Sequence, residues 1–280
     1  MNFLVDNINV LKGAFYLKSI CIKTNDLKLE KYLLDNLKDI DIKGIIFSNC
    51  KFKVYNNVIV HYAGTDLGIF LSKIATILAD SILDVLEEEI IRKLIRNNYF
   101  YFSLPEQIEI KNKCYEDLME ENNFNRKEML VDSLYSYLED NKTLNIEGFI
   151  NFRLKEYIKF LDSAIDISVN KFIIDREYLE FIGLLRQYVL SKPFGAGIVH
   201  LIYNEQSSMI LDEDNKIIEP DINAFKAMYV SDISFSSNDY ALNTLLTLIP
   251  KKLIIHTEKE EDEFVNTLKL IFANRVVISK

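Results

Sequence analysis

Three histidines, seven arginines and a few closely spaced carboxylates are the residues of this chain with the most chemistry to offer. His256 ends the apolar run Lys252–His256, and Glu258 follows two residues later. If that run is a strand of a parallel sheet, the placement matters, because ligands of open α/β sheets gather beyond the carboxyl ends of strands. His256 and Glu258 are therefore the most site-like pair, with small-ligand binding or acid–base work as the chemistry. His61 and His200 sit inside strand-like runs. No second histidine is spaced to share an ion with His256, so no metal site is expected.

Asp162 and Asp166 stand four apart, and Glu177 and Glu180 three apart, in helical sequence. Carboxylates at those spacings share a face and could hold Mg²⁺ or work as an acid/base pair. A solvated acidic face opposite an apolar stripe has the same pattern, and that is the expectation. Arg153, Arg176 and Arg186 all fall in the same region, in a chain with 26 lysines. Arginine grips planar anions bidentately where lysine cannot. The expectation is pairing with Glu156, Glu177 or Glu180. The functional alternative is that Asn151, Arg153, Arg176 and Arg186 converge on an anionic ligand or partner.

Around these residues no catalytic signature assembles. G-x-G-x-x-G, the Walker loop, G-x-S-x-G and H-E-x-x-H are all missing, and Gly195-Ala196-Gly197 has no second half. No cofactor is expected. Cys21, Cys50 and Cys114 are odd in number and widely spaced, which fits reduced thiols in a cytoplasm better than disulfides or zinc. Met1–Lys12 lacks the basic and apolar segments of a secretory leader. Leu67–Leu86 is interrupted by Lys73, Asp80 and Asp84, so it reads as a buried amphipathic helix and not as a membrane span. The net charge of −9 argues against broad nucleic-acid binding, although residues 1–64 carry a small positive excess.

The elements that must position these residues fall into three stretches. Residues 1–63 read as a small α+β unit. Phe15–Lys23 forms a strand, Asn25 or Asp26 caps a helix with Leu29, Leu33 (or Leu34) and Leu37 on one face, and Asn56-Asn57 turns a hairpin. Residues 64–192 read as a helical middle. Thr65 or Asp66 opens a helix to about Asn97, and Tyr99–Phe102 precedes Pro105 at the start of the next helix. Leu154, Ile158, Leu161, Ile165, Val169 and Phe172 then form one stripe, followed by a second helix with Leu179, Ile182, Leu185 and Val189. Residues 198–280 read as a strand meander (Ile198–Tyr203, Met209–Leu211, Ile217–Glu219) followed by a β-α-β unit that ends in Arg275–Ser279. The fold class is α+β or mixed α/β. The strands of 1–63 and 198–280 form one shared sheet or two.

Gly148-Phe149-Ile150-Asn151-Phe152-Arg153-Leu154-Lys155-Glu156-Tyr157 and the later run Phe172-Ile173-Ile174-Asp175-Arg176-Glu177-Tyr178-Leu179-Glu180-Phe181-Ile182, through Leu184-Leu185-Arg186, resemble the YtxC-like proteins of spore-forming Firmicutes. The resemblance is most specific over about residues 146–190, and the order of parts fits along the chain. It implies a sporulation-associated, cytoplasmic protein and brings no activity, ligand or catalytic residue with it. The reading that follows is a non-enzymatic protein that binds a protein partner through the helical middle, with a homo-oligomer left open. The alternative is a small-ligand-binding protein or hydrolase-type enzyme with its site at the C-terminal strand ends.

Overall fold

The computed structural model describes residues 16–120, 124–204, 207–219 and 236–279. Met1–Lys12, where the leader was sought, lies outside them. The fold is mixed α/β, and it divides into two compact units, Met1–Phe172 and Ile173–Lys280.

The first unit is built on a four-stranded sheet of order β2-β3-β1-β4, formed by β1 (Tyr16–Thr24), β2 (Ile45–Phe52), β3 (Tyr55–Gly64) and β4 (Thr143–Asn145). β1 and β3 run antiparallel, with Ile20 opposite Val60 and Ile22 opposite Val58. These four side chains are buried on one face, as the two-residue strand period requires. α1 (Leu27–Lys38) covers that face with Leu29, Leu33 and Leu37, and Asp26 caps it by accepting from the Lys28 and Leu29 amides. The opposite face, with Leu17 and Ile46, is open.

The hairpin differs from the sequence expectation. Its turn is Lys53-Val54, with Phe52 opposite Tyr55, and Lys53 takes the left-handed backbone at φ 55°. Asn56 and Asn57 are instead buried members of β3, and Asn57 donates to the Cys50 carbonyl. Two asparagines suit a turn, but the register of the apolar face decides where the chain reverses.

α2 (Leu67–Ser81) is capped by Asp66, which accepts from the Ile69 amide. It continues through one π-helical turn, Ile82–Leu86, into α3 (Glu87–Asn98). α4 (Leu104–Glu120), α5 (Phe124–Asp140), the short α6 (Ile146–Phe152) and the first part of α7 (Lys155–Ser191) complete this unit. The stripe Leu154, Leu161, Ile165, Val169 and Phe172 is buried as expected. The second helix expected after it is the continuation of α7, a single helix of 37 residues. Ile182 and Val189 are buried on that continuation, while Leu179 is exposed.

The second unit carries a separate four-stranded sheet, so the N- and C-terminal strands do not share one. Its order is β6-β5-β7-β8, with β5 (Ala196–Asn204), β6 (Ser207–Leu211), β7 (Pro250–His256) and β8 (Val276–Ser279). β5, β7 and β8 are parallel, and β6 is an antiparallel edge. α8 (Ser237–Leu248) returns the chain to β7, and α9 (Glu263–Phe272) returns it to β8. Ser236 and Asp239 form a reciprocal capping box at the start of α8. The Ile217–Glu219 strand is reduced to a single bridge between Ile217 and Leu211. Val199, Leu201, Leu253, Ile255, Leu245 and Leu268 fill the core with the end of α7. Gly195 has a packing reason: a Cβ there would meet the Leu248 carbonyl oxygen at 2.6 Å. Among the described residues no helix is long and apolar enough to cross a membrane.

Candidate functional site

In the second unit, His256 ends β7, as its sequence placement requires for a site at the strand ends. Its partner is another histidine. Parallel pairing sets Ile202 opposite His256 and Ile254 opposite His200, so both imidazoles project from the same face of the sheet. His256 Nε2 and His200 Nδ1 lie 2.9 Å apart, with the rings 15° from parallel. One ring donates and the other accepts, which fixes complementary tautomers. Glu258 is exposed beyond the strand. The signal that could have revealed this pair was the period-two position of His200 in β5, readable only once β5 and β7 are known to be neighbours.

The arginines separate by role. Arg176 faces Glu180 at 3.8 Å, the i,i+4 pairing expected for it. Arg186 is exposed ten residues further along α7, about 15 Å at the rise of an α-helix. These two do not share a site. In the first unit, Asn151 and Arg153 are both exposed at the end of α6, where the Arg153 amide closes the helix on the Phe149 carbonyl.

The arginine that the spacing argument passed over is the most deeply engaged. Arg126 of α5 donates Nη1 to Glu87 Oε1 at 2.7 Å, with both side chains buried. Tyr157 of α7 donates its hydroxyl to Glu87 Oε2. Burial pushes the Glu87 carboxyl above its usual range, against the opposing pull of Tyr157 and Arg126. Tyr157 is likewise shifted up, first by burial and then by the Glu87 charge. The Cys114 thiol is pushed up to about 11, mainly by burial, with a hydrogen bond to Ser168 working the other way. Such a thiol is inert at neutral pH. This cluster has no access for a substrate, and its role is to tie α3, α5 and α7 together.

The paired aspartates have a similar role. Asp162 accepts from Asn98 Nδ2 at 2.8 Å, and Asp166 accepts from the Tyr99 hydroxyl. Gln107 adds bonds to the Tyr99 and Phe102 carbonyls. The corner between α3 and α4 is therefore fixed from three sides, and Phe102 is buried edge-on against Phe172. On this fixed corner Phe100, Tyr101, Leu104 and Ile108 are each between 57% and 75% exposed. Four large apolar side chains within nine residues exceed the scattered exposure that any surface shows.

Beside the corner, α3 and α6 flank a cleft of about 330 Å³. Leu86, Ile90, Leu94, Ile150 and Ile158 make its apolar lining, and Lys93, Asn97, Asn151 and Glu147 supply polar groups. Among the described residues, no group of three or more His, Cys, Asp or Glu is arranged to hold a metal ion.

Residues 72–277 match the YtxC-like family, which is most of the chain. The chain belongs to the YtxC-like family. It is 25% identical over 238 residues to the uncharacterized protein YtxC of Bacillus subtilis (strain 168), covering 79% of this chain and 84% of that relative. No solved structure matches it. The YtxC-like match takes in Glu87, Arg126 and Tyr157, the α3–α4 corner, the cleft and both paired histidines. It leaves out β1, α1, β2 and β3, so the match reaches the first sheet only at β4.

Proposed function

We propose that this YtxC-like protein is a sporulation-associated cytoplasmic protein that works without catalysis, by docking a protein partner on the helical part of its first unit. The observation that carries the reading is the exposure of Phe100, Tyr101, Leu104 and Ile108 on a corner held by Asn98–Asp162 and Tyr99–Asp166. Aromatic side chains on a rigid base lose little entropy on binding, and such anchors dominate protein interfaces. The partner that fits is a protein with an apolar groove for the two aromatic rings. Exposed Arg153, in the same unit, would add a bidentate contact to an acidic group of a partner. The alternative, a small-ligand or hydrolase-type site at His256 and Glu258, has less behind it, since His256 is already engaged by His200.

A photo-crosslinking amino acid at Phe100, expressed in sporulating cells, tests the reading. A discrete adduct is expected, and it should disappear from a probe at Leu104 when Phe100 and Tyr101 are both changed to Ser. If the Ser double variant folds and sporulates like the wild type and no adduct forms, the reading is wrong.

A further inference from the structure

The second half of α7 is apolar on more sides than its own unit covers. Ile182, Leu185 and Val189 pack into the core of the second unit, and the Tyr178 hydroxyl lies 2.6 Å from Thr267 Oγ1 on α9. These contacts fix which side of the helix faces inward. About a quarter-turn around the axis stand Ile174, Phe181, Leu184 and Tyr188, each between 44% and 64% exposed. With Glu177 and Ser191 they form a run spaced by three and four residues, which is the seam of a two-helix coiled coil. A helix that is apolar well beyond its inward face is one that is covered there too. From Ile174 to Tyr188 the run spans about 21 Å, or about four turns of helix-to-helix contact.

The charges along this segment say what fits against it. Residues 174–181 carry Asp175, Glu177 and Glu180 against Arg176 alone, whereas residues 182–192 carry Arg186 and Lys192 and no carboxylate. Arg176 faces Glu180, and at the other end the Lys192 ammonium stands 5.5 Å from the centre of the Tyr188 ring. A helix with an acidic end and a basic end is complementary to its own reverse. We propose that the second half of α7 is a homodimer seam, packed antiparallel against the same segment of a second copy about a two-fold axis. Phe181 then meets Leu184 of the other copy on both sides of the axis, and Ile174 meets its Ser191. Glu177 comes to the Tyr188–Lys192 end of the other copy, so the one charge within the run gains an opposite charge. A parallel pair would set Glu177 against Glu177 and Lys192 against Lys192, and like charges across a helix pair repel. A two-fold contact uses the same surface on both copies, so the assembly closes at a dimer.

Sedimentation of the full chain over about 1–100 μM is expected to reach a mass of twice 32.7 kDa. Phe181→Glu combined with Leu184→Glu changes only exposed side chains. That variant should keep the helical circular dichroism of the wild type and raise the dimer Kd at least about thirtyfold. Leu179→Glu, at a similarly exposed leucine off the run, should leave the dimer unchanged. Orientation is read by oxidation on a Cys50→Ser background, which removes the exposed thiol. Ile174→Cys and Ser191→Cys should link when mixed, and neither should link to itself. The proposal is overturned if the chain stays a monomer throughout, if the double Glu variant dimerises like the wild type, if Leu179→Glu breaks the dimer, or if Ile174→Cys links to itself.

Discussion

Arg126 and Glu87 meet at 2.7 Å in the interior of the first unit, 39 residues apart in sequence, and both are buried. A buried ion pair is weak evidence for stability, because taking two charges out of water costs several kcal/mol each and their attraction repays this only when every remaining lone pair is satisfied. Here Tyr157 satisfies the second Glu87 oxygen. The π-helical turn Ile82–Leu86 ends directly before Glu87, and the extra residue of a π turn rotates everything after it around the helix axis. That rotation is what places Glu87, in place of Glu88 or Glu89, on the inward face.

The triad should therefore be indispensable in part and dispensable as a whole. Glu87→Leu strands the Arg126 guanidinium and is expected to lower stability by about 3–5 kcal/mol. Replacing all three together, Glu87→Leu with Arg126→Met and Tyr157→Phe, removes every unsatisfied group and should recover most of that loss. Urea unfolding of the two variants decides the matter. If the single variant is no worse than a surface substitution, the pair is not buried as described.

The corner that carries Phe100 and Tyr101 depends on Tyr99. Its hydroxyl donates to Asp166, and burial, then that hydrogen bond and the Asp166 charge, shift the phenol upward. A hydrogen bond to a charged group contributes about 1.5–3 kcal/mol when buried. Tyr99 is half-buried, and Tyr99→Phe should cost about 1 kcal/mol after solvent screening. The sharper readout is hydrogen exchange: the Phe102 amide, bonded to the Tyr99 carbonyl at 3.2 Å, should lose protection relative to the amides of α4. Unchanged exchange there would mean the corner is held by Asn98 and Gln107 alone.

How much of this could be read from the residues depends on the range of the interaction. Local rules narrowed two helix caps to Asn25 or Asp26 and to Thr65 or Asp66, of which the structure uses Asp26 and Asp66, and they found the β-α-β end of the chain, because caps and apolar periods act over a few residues. β4 was not anticipated, since Thr143–Asn145 is three residues long and exists only by pairing with β1, more than a hundred residues away. Arg126 sits in the polar stretch Asn122–Glu128, with no apolar period to mark it as inward-facing. Asp162 and Asp166 read as a solvated face because their partners, Asn98 and Tyr99, lie at the end of another helix, more than sixty residues away.

The misplaced hairpin turn supplies its own test. Lys53 holds φ 55° at the first turn position, a conformation that disfavours side chains with a Cβ by roughly 1–2 kcal/mol. Lys53→Gly should be neutral to stabilising by up to about 1 kcal/mol, the gain being reduced by the greater freedom of glycine in the unfolded chain. Asn57→Gly should do the opposite, because it removes a buried amide that donates to the Cys50 carbonyl and puts glycine in a strand. Were the turn at Asn56-Asn57, the two outcomes would be reversed, and a pair of melting curves separates them.

Cys114 gives the fold an alkaline limit of known sign. Burial pushes its thiol up to about 11 in the folded protein, from an ordinary 9.0. The thiol therefore holds its proton more tightly when folded. Its contribution to stability is fully present below pH 9, declines as pH rises, and is gone once the folded thiol ionises near pH 11. At one unit of pKa to about 1.4 kcal/mol, the whole effect is about 2–3 kcal/mol. Tyrosines and lysines titrate in the same range, so the measurement is a difference: urea midpoints of wild type and Cys114→Ala between pH 8 and pH 10.5. The wild type should fall more steeply, and over the same interval the exposed Cys50 should react with a thiol reagent long before Cys114 does. Parallel pH profiles, or early labelling of Cys114 in the folded protein, would show that the thiol is not enclosed by α4 and α7.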